Sequence, residues 1–174
     1  MNVEVKKSVE QQLWNIANTL RGKMGADEFR DYILGFIFYK YLSEKMGMYA
    51  NHILKQDGIQ YSDIKEGTSD GKQYLEAIRE EALEKLGYFL KPSELFSTIA
   101  SRAESDFILE DLSAILRGIE QSTMGSESED DFGNLFEDLD LTSTKLGKTE
   151  KQKNELICKV LSHLDKIDFH IGNT

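Results

Sequence analysis

Cysteine, proline and extended apolar sequence are all scarce in this chain of 174 residues. Its single cysteine, Cys158, cannot form an internal disulfide, and the N-terminus has no apolar targeting run, so we expect a cytoplasmic protein. The most apolar stretch, residues 32–39, lies between Asp31 and Lys40, whereas a membrane span takes roughly 20 apolar residues. The composition therefore excludes a membrane-spanning protein.

Basic residues are fewer than acidic residues in this chain. The chain has 21 lysines and arginines against 31 acidic residues, and this net charge of −10 argues against a free-standing nucleic-acid-binding protein. The excess acid lies in residues 49–147, which carry −12, while residues 1–48 and 148–174 each carry +1. An electrostatic approach to DNA could come only from the two ends, although each basic residue there also suits an ordinary solvated helix face.

Helical periodicity dominates the N-terminal part of the sequence. Apolar residues recur at helical spacing over residues 13–24, and Gly22 and Gly25 then interrupt the pattern. The next segment is apolar on nearly every side, as a central helix with neighbours on all sides would be, through Phe29, Tyr32, Ile33, Leu34, Phe36, Ile37, Phe38, Tyr39, Tyr41 and Leu42. The sequence predicts an all-α protein, a single compact bundle of about five to seven helices around a central apolar helix at about residues 26–50.

Further helices follow from the same spacing and from capping signals. Ser8 with Gln11 predicts a capping box at the start of the first helix. Apolar spacing returns at residues 74–86, with Gly87 as the expected stop, and at residues 107–119 and 156–167. Each of these segments is predicted to be helical, and the last helix is expected to begin near Lys148. A short turn is predicted to begin near Pro92, because its fixed φ and missing N–H suit a first turn.

One short motif imitates a phosphate-binding loop. The sequence Gly-Lys-Thr at residues 147–149 matches the end of such a loop, yet the first glycine of the motif would fall at Thr142 and no apolar strand precedes it. We instead expect Thr149 to cap the last helix, with Gln152 reaching back.

Other apparent sites also lack their required partners. The acidic run within residues 127–140 does not fit the calcium-loop pattern and is interpreted as a solvated acidic loop. His52, His163 and His170 lack zinc-ligand spacing, and Cys158 lies in an apolar helix and is interpreted as buried packing. We assign no catalytic, cofactor-binding or metal-binding residue.

Two adjoining motifs resemble a known family. The first is Trp14-x-Ile16-Ala17-x-x-Leu20-Arg21-Gly22, and the second is Phe-Arg-x-Tyr-Ile-Leu-Gly-x-Ile-Phe-Tyr-Lys-Tyr-Leu-Ser-Glu at residues 29–44. Weaker similarities follow at residues 86–96, 132–140 and 143–147. Together they resemble the N-terminal helical domain of the modification (methyltransferase, M) subunit of type I restriction-modification systems. The resemblance covers nearly all of residues 1–174, which we interpret as that one domain.

The resemblance also indicates what this chain lacks. Members of that family transfer a methyl group from S-adenosylmethionine to adenine N6, using a Gly-rich cofactor loop and an Asn-Pro-Pro-aromatic motif. Neither occurs here, since the only proline, Pro92, lies between Lys91 and Ser93. We expect the S-adenosylmethionine-binding catalytic domain to follow residue 174, so this segment alone should not be an enzyme although its parent polypeptide would be an adenine-specific, site-specific DNA methyltransferase. A fragment or split product fits this pattern, and a natural stand-alone helical protein is the alternative.

The function implied by the resemblance is DNA clamping and subunit assembly. Expected partners are the catalytic domain, the specificity subunit, the restriction subunit and double-stranded DNA in the assembled complex. The candidates for contacts to DNA or a partner are Lys23, Arg30, Lys40 and Lys151. The acidic middle of the chain motivates an alternative function, that of a stand-alone acidic helical adaptor or inhibitor covering the basic surface of a nucleic-acid enzyme.

Overall fold

The computed structural model describes residues 3–103, 106–123, 136–137 and 139–168. These ranges contain no strand and six α-helices, which are α1 (Val3–Leu20), α2 (Ala26–Leu54), α3 (Ser69–Lys85), α4 (Phe96–Arg102), α5 (Leu109–Thr123) and α6 (Glu150–Asp165). Short 3-10 turns are found at Lys55–Asp57, Tyr61–Asp63, Pro92–Glu94 and Thr144–Leu146. The predicted all-α bundle is confirmed, with a helix count inside the predicted range.

The long helix α2 is the predicted central helix. It begins after Gly25, carries Asp27 and Glu28 in its first turn and runs for 29 residues, or about 43 Å. Against it pack α3, α4, α6 and the turns at Lys55–Asp57 and Tyr61–Asp63. The buried row of α2 repeats every three or four residues, as one helix face must, through Tyr32, Phe36, Tyr39, Leu42, Met46, Ala50 and Leu54.

One side of α2 stays uncovered by the described part of the chain. Leu34, Phe38, Tyr41 and Met48 are each 41–45% exposed. The expectation of neighbours on all sides is therefore wrong for this side, because the apolar residues of α2 outnumber the positions that the other described helices cover. We call this row, with Lys45 between Tyr41 and Met48, the α2 strip.

Hydroxyl groups of buried tyrosines donate hydrogen bonds to backbone carbonyls in segments that are distant in the sequence. The hydroxyl of Tyr39 donates to the carbonyl of Glu94 at 2.6 Å, that of Tyr61 to Leu90 at 2.5 Å and that of Tyr88 to Leu42 at 2.8 Å. Tyr32 donates in the same way to the carbonyl of Asp140. Each bond satisfies a polar group that burial would otherwise leave unpaired.

Helix boundaries differ from the predicted ones at the N-terminus. Ser8 lies inside α1, so the capping box predicted at Ser8 and Gln11 is wrong. The sequence favours this earlier start, because Val5, Val9 and Leu13 follow one another at intervals of four residues, a spacing typical of a helix that begins before Ser8.

The predicted stop and the predicted short turn are confirmed. Gly87 follows the last turn of α3 with a φ of 86°, and its amide donates to the carbonyl of Ala82. Pro92 opens the turn Pro92–Glu94, which leads into α4. Most of the predicted acidic loop, including Glu127 and Asp131, lies outside the described residues.

Candidate nucleic-acid interface

The two basic ends of the chain meet because α1 packs along α6. Ile16 and Leu20 on α1 are buried, and so are Val160, Leu161 and Leu164 on α6. Burial of these facing apolar rows holds the two helices side by side. The turn after α1 is thereby brought next to the start of α6.

A groove of about 510 Å³ opens between these two helices. We call it the basic groove, and its lining residues are Thr19, Lys23, Thr144, Gly147, Lys148, Gln152, Glu155, Leu156 and Lys159. Three lysines and one glutamate give its lining a formal charge of +2, in a chain whose net charge is −10. This local excess of cations brings together basic residues from both ends of the sequence.

The start of α6 forms one wall of the basic groove. Thr149 caps the helix, its hydroxyl accepting the amide of Gln152 at 3.1 Å. The Gln152 side-chain oxygen accepts the amides of Lys148 at 2.8 Å and Thr149 at 3.3 Å. The predicted capping box is confirmed, and it fixes the backbone from which Lys148 projects.

Gly147 allows the chain to turn tightly against this first helical turn. A Cβ atom at Gly147 would lie 2.6 Å from the Cβ of Gln152 and 3.0 Å from the amide nitrogen of Lys153, which is too close for any side chain. Gly147, Lys148 and Thr149 therefore form a helix start, and the glycine serves close packing rather than a phosphate-binding loop.

Two of the four predicted contact residues lie at this end of the bundle. Lys23 follows α1 and lines the basic groove. Lys151 is exposed on the first turn of α6, with its Nζ 4.0 Å from a carboxylate oxygen of Glu155. Both side chains are accessible to a ligand.

Arg30 lies elsewhere on the surface. It is exposed on α2, 3.7 Å from a carboxylate oxygen of Asp27, and it lines a separate apolar groove beside Trp14. The structure therefore does not bring Arg30 together with Lys23 in one groove.

Lys40 is buried, and its position corrects the interpretation of this residue as a surface contact. Only 3% of Lys40 is exposed, and its Nζ donates to the carbonyls of Leu164 at 2.7 Å, Asp165 at 3.3 Å and Ile167 at 2.5 Å. A carboxylate oxygen of Glu44 lies 3.6 Å from the same nitrogen. Lys40 satisfies carbonyls at the end of α6, so its charge serves the fold rather than a phosphate.

Lys159 lines the basic groove but was not among the contact residues predicted from the sequence. The signal lies in the spacing of Gln152, Glu155 and Lys159, which are three or four residues apart and so share one face of α6, the face that Lys148 adjoins just before the helix. Lys153 shows the opposite case, since it is basic in sequence but buried, donating to the carbonyl of Thr142 at 2.9 Å and to Glu150 at 3.0 Å.

The described ranges lack a metal-binding cluster and a membrane-spanning helix. No group of three or more His, Cys, Asp or Glu residues there could hold a metal ion, and none of the helices described is both long and apolar enough to cross a bilayer. Burial, and then the charge of Glu155, raises the pKa of Cys158 to about 11, so its thiol stays protonated and unreactive at neutral pH. The prediction of Cys158 as buried packing is confirmed.

Comparison with known proteins gives consistent matches over almost the whole chain. The family described as the HsdM N-terminal domain matches residues 9–164. The methylase subunit of the type I restriction enzyme MpnII from Mycoplasma pneumoniae is 31% identical over 171 residues, which cover 95% of this chain and 31% of that protein. The crystal structure of a type I restriction-modification system methyltransferase subunit from Streptococcus thermophilus superposes with a TM-score of 0.72 at 31% identity, over 94% of this chain and 35% of that one. The chain thus spans about a third of the length of each relative.

Proposed function

This chain belongs to the family of the HsdM N-terminal domain, and on that premise we propose that it is the helical DNA-clamping and subunit-assembly domain of a type I restriction-modification DNA methyltransferase subunit. In this proposal the subunit methylates adenine N6 at a specific site, and the S-adenosylmethionine that supplies the methyl group binds outside residues 1–174. The chain itself contributes recognition of the DNA backbone and contacts to the rest of the complex.

The observation that carries the DNA-clamping part of the proposal is the convergence of three lysines in the basic groove. Lys23 comes from the turn after α1, Lys148 immediately precedes the cap of α6, and Lys159 lies within α6. Lysine is a flexible point charge that neutralises a phosphate without reading the base. Contacts of this kind position a protein on a duplex and leave sequence recognition to another subunit.

The charge distribution supports one orientation of the chain on DNA. Residues 49–147 carry −12 and repel phosphates, whereas the basic groove is locally positive. A duplex is therefore attracted to the α1 and α6 end and repelled by the acidic segment. Such an orientation suits a domain that closes on DNA from one side.

The assembly part of the proposal is supported by the relatives. Both are described as subunits of type I systems, and about two thirds of each lies outside the region that this chain matches. We propose the catalytic domain, the specificity subunit and the restriction subunit as the partners that this domain meets in the complex.

The test uses the assembled methyltransferase complex with Lys148 and Lys159 both changed to glutamate. We expect the affinity for a duplex carrying the recognition site to fall by at least about tenfold, because two attractive phosphate contacts become repulsive. Fluorescence anisotropy with a labelled duplex at a fixed salt concentration measures this change.

Lys72 provides the matched control. It is exposed on α3 in the acidic part of the chain, so Lys72→Glu changes the same charge at a position remote in sequence from both basic ends. The proposal predicts little change for this variant. Equal affinities for the doubly substituted complex and the unmodified complex would contradict the role of the basic groove.

A further inference from the structure

The basic groove takes one wall from a segment that packs against the N-terminal half of α2. We call this segment, residues 139–148, the strap. It supplies Thr144, Gly147 and Lys148 to the lining of the groove. We propose that three residues of α2 position this wall for DNA binding by holding the strap in place, and that they act through Lys148 without touching DNA. The inference rests on the proposed function of the basic groove.

The three positioning residues share one face of α2. Glu28, Tyr32 and Gly35 are separated by four and three residues, so they lie on the same side of the helix. This face is distinct from the α2 strip, because Gly35 follows Leu34 by one residue, which is about 100° of helix. Each of the three residues contacts the strap in a different way.

Two polar contacts attach the strap to this face. The hydroxyl of Tyr32 donates to the carbonyl of Asp140, and the ammonium of Lys145 donates to the carboxylate of Glu28. Tyr32 is buried, so its hydroxyl would lose its partner if the strap moved away. The side chains of Lys145 and Glu28 are 52% and 41% exposed, so water weakens their attraction. Tyr32 is therefore the stronger polar attachment.

Gly35 provides the apolar attachment by leaving room for Leu139. A Cβ atom at Gly35 would overlap the Cδ1 atom of Leu139 and would lie 3.4 Å from its Cγ and 3.5 Å from its Cβ. Leu139 is buried, and so are Leu141 and Leu146 in the same strap. The absence of a side chain at position 35 therefore lets the strap approach α2 this closely.

Hydrogen bonds connect these attachments to Lys148. A carboxylate oxygen of Asp140 accepts the amide of Thr142 at 2.9 Å, and the carbonyl of Thr142 accepts the ammonium of Lys153 at 2.9 Å. The amide of Lys148 donates to the side-chain oxygen of Gln152 at 2.8 Å. Lys148 is thus held from two sides, by α6 directly and by α2 through the strap.

The three lysines of the basic groove should therefore differ in their dependence on the strap. Lys148 ends the strap, whereas Lys159 lies within α6 and Lys23 follows α1. A change at Gly35 should displace Lys148 and leave the other two lysines in place. This difference separates a positioning role from a general loss of fold stability, which would weaken all three contacts.

The first test displaces the strap without changing any charge. Gly35→Val adds an isopropyl group where Leu139 packs, and Leu139→Ala removes an isopropyl group, so the two changes together conserve volume. In the assembled methyltransferase complex we expect Gly35→Val to weaken binding of a duplex with the recognition site by at least about threefold, because one phosphate contact is misplaced. Fluorescence anisotropy measures this change, and the double variant should recover most of the affinity.

Gly47 supplies the matched control on the same helix. A Cβ atom at Gly47 would meet no atom within 4 Å, so Gly47→Val makes the same change in open space. We expect this variant to bind the duplex as tightly as the unmodified complex does. Tyr32→Phe, which removes only the hydroxyl, takes the place of Gly35→Val if the valine prevents assembly of the complex.

Combining these changes with the loss of one lysine shows how the effect is transmitted. Lys148→Ala should weaken DNA binding in the unmodified complex but should have much less effect in the Gly35→Val complex, because Lys148 is already misplaced there. Lys159→Ala should weaken binding equally in both complexes. A residue that only stabilised the fold would not single out Lys148.

A second measurement follows the strap in the absence of DNA. The amides of Leu146 and Gly147 donate to the carbonyls of Ser143 and Thr144, both at 3.2 Å. Hydrogen exchange in peptides covering residues 139–148 of the complex, read by mass spectrometry, should be faster in Gly35→Val than in the unmodified complex or in the control variant.

The possible results distinguish this inference from the proposed function. An equal effect of Lys148→Ala in the unmodified and Gly35→Val complexes would overturn the positioning role and leave the basic groove as the DNA contact. No effect of either lysine change in the unmodified complex would overturn the groove as a DNA contact, and the positioning role with it. Unchanged hydrogen exchange of the strap in Gly35→Val would show that α2 does not hold the strap.

Discussion

At the scale of single residues, the buried tyrosines carry much of what makes this bundle specific. Each of Tyr32, Tyr39, Tyr61 and Tyr88 donates its hydroxyl to a backbone carbonyl from another part of the chain. Burial raises the pKa of all four hydroxyls, and the pKa of Tyr32 reaches about 12, with a further contribution from the charge of Asp140. The folded protein therefore holds these protons more tightly than the unfolded chain does.

This difference predicts how stability depends on alkaline pH. A tyrosine in the unfolded chain titrates near its ordinary pKa of about 10, so the stabilisation by these groups is complete below that pH and is lost as the pH rises toward the folded pKa. We expect the free energy of unfolding in urea to fall between about pH 9 and pH 11.5, by as much as about 1.4 kcal/mol per pH unit for each buried tyrosine.

Removing one tyrosine hydroxyl tests whether these groups cause the loss of stability at alkaline pH. Tyr39→Phe should make this decline shallower, because one titrating group is lost, and should also lower stability at neutral pH by about 1–3 kcal/mol, because the carbonyl of Glu94 loses its partner. The half-buried Tyr74 supplies the control Tyr74→Phe. Parallel pH profiles for the unmodified chain and Tyr39→Phe would contradict this account.

At the scale of helices, the link between α2 and α6 depends on one lysine. Lys40 on α2 donates to three carbonyls at the end of α6, where a helix carries partial negative charge and leaves carbonyls without partners. Its ammonium also lies 5.5 Å from the centre of the Phe96 ring. Lys40 thus completes the C-terminus of α6 and joins it to the central helix.

We expect Lys40→Met to lower the free energy of unfolding by about 2–4 kcal/mol. Methionine has similar length but no donor, so three carbonyls, two of them in buried hydrogen bonds, would lose a charged hydrogen-bond partner. Urea unfolding followed by circular dichroism at neutral pH measures the change. Lys72→Met, on the exposed surface of α3, is the control, and equal stabilities of the two variants would show that the carbonyls find other partners.

Periodicity and capping signals predicted most of the helices because both are local. The cap of α6 by Thr149, the stop at Gly87 and the central position of α2 were all predictable from the residues themselves. The start of α1 was not, since α1 begins at Val3, before the capping signal at Ser8.

The roles of Lys40 and Lys159 could not be predicted from the sequence, because both depend on contacts between residues far apart in the chain. Lys40 is one of several lysines in a basic segment, and only the position of the end of α6, more than a hundred residues later, makes it a buried donor. Lys159 joins Lys23 in one groove only because α1 packs on α6. No local pattern distinguishes Lys40 from a solvated lysine, and the spacing that places Lys159 on the face of Glu155 does not indicate that Lys23 lies beside that face.

At the scale of the whole molecule, the fold brings together basic residues that are far apart in the sequence. Both basic ends meet at the basic groove, while the acidic excess stays in residues 49–147. The central claim of this account is that the basic groove contacts DNA phosphates when this domain acts within a type I methyltransferase complex. Sequence-independent contacts of that kind release counterions, and their number is read from the salt dependence of binding.

The most direct measurement is therefore the slope of the logarithm of DNA affinity against the logarithm of salt concentration, for the complex with and without Lys23→Ala, Lys148→Ala and Lys159→Ala. Each phosphate contact contributes about 0.9 to the magnitude of this slope, so the triple variant should be shallower by up to about 2.7. An unchanged slope would show that the basic groove does not contact DNA and would contradict the account.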